Sequence, residues 1–122
     1  MPRVVHFEIP ADNPEKVAKF YESVFGWKVE KWAGPVEYWL VMTGNPKEPG
    51  IDGGITRKEA PFTSTVNTIG VASVDEFIEK AKAAGGKLAV PKNAVPGVGY
   101  QAYLTDPDGN LFGIHEENKE AK

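Results

Sequence analysis

The sequence has no cysteine and only two histidines, His6 and His115. That inventory excludes disulfide bonds, cysteine nucleophiles, iron–sulfur clusters and thiolate zinc sites, so a transition metal would have to draw on carboxylates. There is no surplus of positive charge: 14 Lys and Arg against 17 Asp and Glu give a formal net charge of −3. Such a balance offers little to neutralise a phosphate backbone, and no nucleic-acid partner is expected. Long apolar runs are missing too; none approaches the roughly 18 residues of a membrane span, and no membrane association is expected. Met1-Pro2-Arg3 leads directly into a strand-like segment without the apolar core and cleavage site of a signal peptide, so the expected compartment is the cytoplasm. What is present, 122 residues of which 41% are apolar, suffices for one domain, or for two half-sized units that share a core.

Val4-Val5-His6-Phe7-Glu8-Ile9 alternates with the period of a half-buried strand, placing Val5, Phe7 and Ile9 on one face and Val4, His6 and Glu8 on the other. Asn13 is a helix cap with Pro14 in the first turn, and Val17, Phe20, Tyr21 and Val24 recur at helical spacing until Gly26 ends the pattern. Residues 27–33, 36–43 and roughly 51–57 read as three further strands, separated by Gly34-Pro35 and by the loop 44–50. The order is β-α-β-β-β.

The second half repeats that order. Residues 64–72 read as a strand, and Ser73 with Glu76 three positions on forms a capping box. Val74, Phe77, Ile78 and Ala81 form the apolar stripe of a helix that Gly85-Gly86 terminates. Residues 87–90, 100–105 and 111–116 supply three strands, the last two joined by the turn Asp106-Pro107-Asp108-Gly109-Asn110. Gly26-Trp27-Lys28-Val29 aligns with Gly85-Gly86-Lys87-Leu88, an internal repeat of about 60 residues that points to two modules burying their sheets together. The expected organisation is a single α+β domain over 1–122, with module one at about 1–58, module two at about 64–117 and a fraying tail at 118–122.

Paired β-α-β-β-β modules, His6 in the first strand, Phe20-Tyr21 ahead of Phe25-Gly26-Trp27, and Asp106-Pro107-Asp108-Gly109-Asn110 before the last strand resemble the vicinal oxygen chelate superfamily. That group includes glyoxalase I, methylmalonyl-CoA epimerase, extradiol dioxygenases and bleomycin- and fosfomycin-resistance proteins. The likeness covers nearly the whole chain and is nearest to small glyoxalase-like proteins, through His6 to Asp12 and Gly97 to Tyr100. It implies a half-open barrel-like cavity that holds a small molecule, and a homodimer.

The resemblance also implies where a metal would sit: four ligands, one on the first and one on the fourth strand of each module. Such ions want nitrogen and oxygen donors at about 2.0–2.3 Å from several directions. His6 matches the first position. Counting from the turn at Asp106 lands on Gly113, where metal-dependent relatives carry Glu; counting back from Gly85 lands at or beside Val66, between Thr65 and Asn67. The fourth strand of module one gives roughly Gly54, with Asp52 on the same face. No conventional metal site and no cofactor are expected. An unorthodox set of His6, Glu8, Asp52 and His115 stays open, since alternation points these residues to one side.

His6 is the candidate catalytic residue, because a neutral imidazole is the side chain that titrates near pH 6.5 and accepts protons at physiological pH. Its structural alternative is a hydrogen-bonded remnant of an ancestral metal site. The candidate ligand-binding residues are Glu8, Trp39, Asp52, Asn67, Gln101, Tyr103 and His115. Trp39 and Tyr103 would form aromatic walls, although core or interface filling is the stronger reading of Trp39. Gly53-Gly54 lacks the lysine and helix of a phosphate loop and reads as a bulge or a close backbone approach. Gly97-Val98-Gly99 is either a lid or a turn. Two functions are expected to compete: lyase or isomerase chemistry on a small oxygenated substrate with His6 as base, and non-catalytic sequestration of a small molecule. One fold hosts both.

Overall fold

Asn13 starts the first helix as its chemistry dictates: Lys16 N–H donates to its Oδ1 at 3.1 Å, and Pro14 occupies the first turn. The helix, α1 (Pro14–Phe25), stops where Gly26 turns left-handed at φ 73° and returns its N–H to the Glu22 carbonyl. These are elements of a computed structural model that describes residues 2–122. Around α1 lie β1 (Arg3–Ala11), β2 (Lys28–Lys31), β3 (Trp39–Met42) and β4 (Gly53–Arg57). The repeat follows as β5 (Val66–Gly70), α2 (Val74–Ala83), β6 (Lys87–Val95), β7 (Gly99–Thr105) and β8 (Leu111–Glu117). The fold is therefore α+β with two β-α-β-β-β modules, as expected.

The contacts divide the chain into His6–Val66 and a second unit, Asn67–Lys122 with the described residues before His6. In the first unit the strands run β2-β3-β4-β1, with β1 and β4 parallel and the other neighbours antiparallel. In the second they run β5-β8-β7-β6, with β5 and β8 parallel. Neither run of strands closes on itself. β6 is longer than the residue pattern indicates, because its pairing with β7 continues past two register irregularities between Leu88 and Asn93.

Each module packs its helix on one face of its sheet. In the first unit Ile55, Val41, Trp39, Ala11 and Ala18 are buried, with Phe7, Ile9 and Val17 packed against them. In the second, Val74, Ile78, Ala102, Leu104 and Ile114 do the same. Each fully buried aliphatic side chain contributes roughly 1.5–3 kcal/mol. The α1 stripe is rotated from expectation: Pro14 and Ala18 are buried and Val17 and Tyr21 half-buried, while Phe20 and Val24 are more than half exposed. Small Ala18 permits the close approach that sets this rotation.

The tail corrects a second expectation. Rather than fraying, it docks: Ala121 is buried, its carbonyl accepts from Gly97 N–H at 2.9 Å, and Asn118 N–H donates to the Val98 carbonyl at 2.9 Å. The same bonds, with Val98 N–H donating to Val95, fix Gly97-Val98-Gly99 as the β6–β7 turn. Among the described residues no helix is long and apolar enough to cross a membrane.

Candidate functional site

The helix-facing cores determine which side chains are left for chemistry. Phe7 and Ile9 pack against the α1 core, so alternation turns His6 and Glu8 to the opposite face of β1. In the parallel register Glu8 stands opposite Gly54, and in the second module Thr68 stands opposite Gly113. Glu8 and Thr68 are the two buried polar residues of the described chain. His6, two residues before Glu8, has Val66 as its counterpart two residues before Thr68. The positions that the family resemblance marks for a metal fall at His6, about Gly54, at or beside Val66, and Gly113.

These residues do not fit a metal ion. Val66 and the two glycines have no ligating side-chain atom, and the space at both glycines is already filled. A side chain at Gly54 would run into the ring of Tyr38, and one at Gly113 into Thr68 Oγ1 and the ring of Tyr103. Nε2 of His6 lies 2.7 Å from Oη of Tyr38. Among the described residues no three of His, Asp and Glu are grouped to hold an ion.

Tyr38 is the site residue that the sequence did not reveal. It precedes β3 at the end of the loop from Trp32, and contacts from Trp32 and through its neighbour Glu37 hold it. Trp32 N–H donates to its carbonyl at 2.7 Å, and the Trp32 ring meets its ring edge-on at 6.5 Å between centroids. Glu37, its neighbour, takes Arg57 Nε and Nη2 at 3.4 and 3.2 Å. The Arg57 hydrogen bond and charge hold the Glu37 carboxyl below its ordinary pKa. Gly54, one strand away, leaves the space into which the phenol folds. The available signal was the Gly53-Gly54 pair, whose close-approach reading is what the structure contains.

The other expected site residues fall in several places. Trp39, proposed as a wall, points the other way: it is buried with Val41 and Ile55 against α1, because adjacent residues of a strand face opposite sides. Asp52 lies just before β4 and is engaged locally, accepting Thr43 N–H at 2.9 Å. Asn67 is exposed and shares the parity of Ile69, which packs toward α2, so Thr68 and not Asn67 takes the face away from that helix. In the second unit Gln101 stands opposite His115 and Tyr103 opposite Gly113, all on the face away from α2. His115 borders an open groove of about 550 Å³ that is also lined by Val5, Gly70, Glu76 and Glu117. Burial pushes its pKa below the ordinary histidine value, and the charges of Glu117 and Glu116 oppose that shift.

A protein-family model, the Glyoxalase/Bleomycin resistance protein/Dioxygenase superfamily, matches residues 3–114. The chain belongs to that superfamily. It is 30% identical over 114 residues to CFP32 of Mycobacterium tuberculosis, named as a candidate glyoxylase, with 88% of this chain and 41% of that protein covered. The chain thus spans about two fifths of the length of that relative. A glyoxylase-like domain-containing protein of Didymella fabae is 32% identical over 113 residues, covering 88% of both chains. Among solved structures, a methylmalonyl-CoA epimerase variant from Streptomyces coelicolor, in complex with 2-nitronate-propionyl-CoA, superposes with a TM-score of 0.71 at 14% identity, covering 98% of this chain and 97% of that one. That likeness is one of fold.

Proposed function

We propose that the chain is a glyoxalase-like isomerase or lyase that moves a proton on a small oxygenated metabolite without a four-ligand metal centre, with His6 supplying the basic group. The observation that carries this reading is the 2.7 Å contact between His6 Nε2 and Tyr38 Oη, two groups that exchange protons, on a face of the sheet not committed to the core. Relatives named for glyoxylase chemistry at 30% and 32% identity support it. The test is loss of the C–H signal in D2O, followed by proton NMR over a panel of small 2-hydroxy and 2-oxo carbonyl compounds. The wild-type chain is expected to exchange at least one of them, and His6→Ala to lose about 100-fold or more of that rate. Full exchange by His6→Ala would exclude His6 from the chemistry.

A second reading, non-catalytic binding or sequestration of a small molecule, draws on Val66, Gly54 and Gly113, three positions without a reactive group. A compound that raises the melting temperature and is recovered unchanged, with its C–H intact, would favour it. Either reading takes the chain as a cytoplasmic homodimer. Support for the dimer comes from Phe20, Val24 and Phe25, each more than half exposed on α1. Sedimentation velocity at micromolar concentration measures it directly.

A further inference from the structure

We infer that Tyr38 is the group that meets the substrate and that His6 stands behind it as the proton acceptor. The inference rests on the acid–base reading above and adds to it a second catalytic residue and the glycine that admits it. At 2.7 Å, the Nε2 position of His6 is directed at a hydroxyl oxygen, so a substrate carbon cannot occupy the same approach. The phenol occupies that approach. Its ring lies over Gly54, and any side chain there would displace it. Trp32 and the Arg57–Glu37 pair fix the two ends of the segment that delivers it.

The geometry is that of an activated hydroxyl, in which a neighbouring imidazole takes the hydroxyl proton. The substrate class is a small molecule with a C–H next to a carbonyl. The substrate C–H bond breaks and its proton forms a new bond to Tyr38 Oη, while the proton that Oη carried passes to His6 Nε2. The electron pair of the C–H bond stays on the substrate as an enolate, and the imidazole becomes an imidazolium. Reversal of both transfers at the same or the neighbouring carbon yields an isomer and restores the pair. No oxidant, reductant or co-reactant enters.

The direction of the His6–Tyr38 hydrogen bond decides the matter without a substrate. Long-range proton–nitrogen NMR on the full ¹⁵N-labelled chain, with the imidazole neutral, is expected to place the proton of His6 on Nδ1 and leave Nε2 an acceptor. A proton on Nε2 would make His6 the donor to Tyr38 and overturn the inference. Tyr38→Phe removes the hydroxyl alone and is expected to abolish the Nδ1–H preference. Gly54→Ala is expected to reproduce that change by displacing the ring, and an unaltered His6 spectrum in Gly54→Ala would overturn the role of Gly54. Amide spectra of both variants report folding, and Tyr38→Phe carries the test if Gly54→Ala does not fold. The two failures are separable. A proton on Nδ1 with no exchange of any panel compound sinks the enzymatic reading, whereas exchange with the proton on Nε2 sinks only the role of Tyr38.

Discussion

Gly54 and Tyr38 share one space: a Cβ added to the glycine would fall on the tyrosine ring. The obstructing atoms are the far end of a half-buried side chain, so the ring swings away while the strand holds. Gly54→Ala is expected to cost about 1–2 kcal/mol, from overpacking and the lost hydrogen bond to His6. Urea unfolding measures it, and in a Tyr38→Ala background most of that cost should vanish. Gly53→Ala differs, because there a Cβ would lie 2.5 Å from the Phe7 carbonyl oxygen, which cannot move without the sheet. It is expected to cost about 3 kcal/mol or more. Equal losses for the two variants would contradict the assignment.

Helix α2 is anchored from the last strand. Val74 N–H, at its buried start, donates to Glu116 Oε1 at 2.9 Å, while Ser73 Oγ accepts from Glu76 N–H at 3.2 Å. The negative carboxylate also suits the positive end of the helix. Glu116→Ala leaves a buried N–H without its acceptor and is expected to destabilise the chain by about 1–2 kcal/mol. Glu116→Gln retains an acceptor oxygen and should lose less than half as much. The urea midpoints of the two variants give the comparison.

These two contacts mark where sequence reading stops. Asn13, Ser73, Gly26 and the Asp106 turn act on backbone groups within a few residues, and their chemistry is legible in the local chain. Asp106 accepts from the N–H groups of Asp108 and Asn110, both at 2.9 Å, as its turn position implies. The repeat likewise gave the order of elements. Tyr38 was missed because its role arises from a loop folding over a glycine sixteen positions later, and nothing in residues 32–38 announces that. Trp39 shows the same limit: it lies in the core, its stronger reading, and fails only as a wall, since a shift of one residue in a strand reverses the face. The α1 stripe erred by one step around the helix, which only the packing of Ala18 resolves.

Of the positions that the family resemblance marks for a divalent ion, His6 has a ligating side chain, whereas Gly54, Val66 and Gly113 do not. Zinc, nickel or manganese added at a few equivalents is therefore expected to leave the melting temperature of the metal-stripped chain unchanged. A saturable rise that His6→Ala abolishes would show that His6 recruits other ligands and would reverse this reading. The arrangement yields a gain-of-function comparison as well. Tyr38→Ala combined with Gly54→Glu removes the obstructing ring and supplies a second ligand but still leaves Val66 and Gly113, so it too should bind no ion tightly.

His115 makes stability depend on pH in a defined direction. Burial disfavours its charged form, so its pKa in the folded chain lies below the ordinary value of 6.5 despite the opposing charges of Glu117 and Glu116. Between the two pKa values the unfolded chain binds more protons than the folded one. Stability therefore rises with pH through that window and falls as acid is added below about pH 6.5. Asp106 and Glu37 also have lowered pKa values, from hydrogen bonds with Asn110 and Arg57 respectively, but their contributions disappear only in the lower carboxylate range. The interval from pH 7.5 to 5.5 consequently isolates histidine. Thermal unfolding across it should show the wild-type melting temperature falling more than that of His115→Gln, which has no titrating group at position 115 and keeps His6 as in the wild-type chain. A larger fall in His115→Gln than in the wild-type chain would mean that the imidazolium is stabilised in the folded state, contrary to its half-buried position.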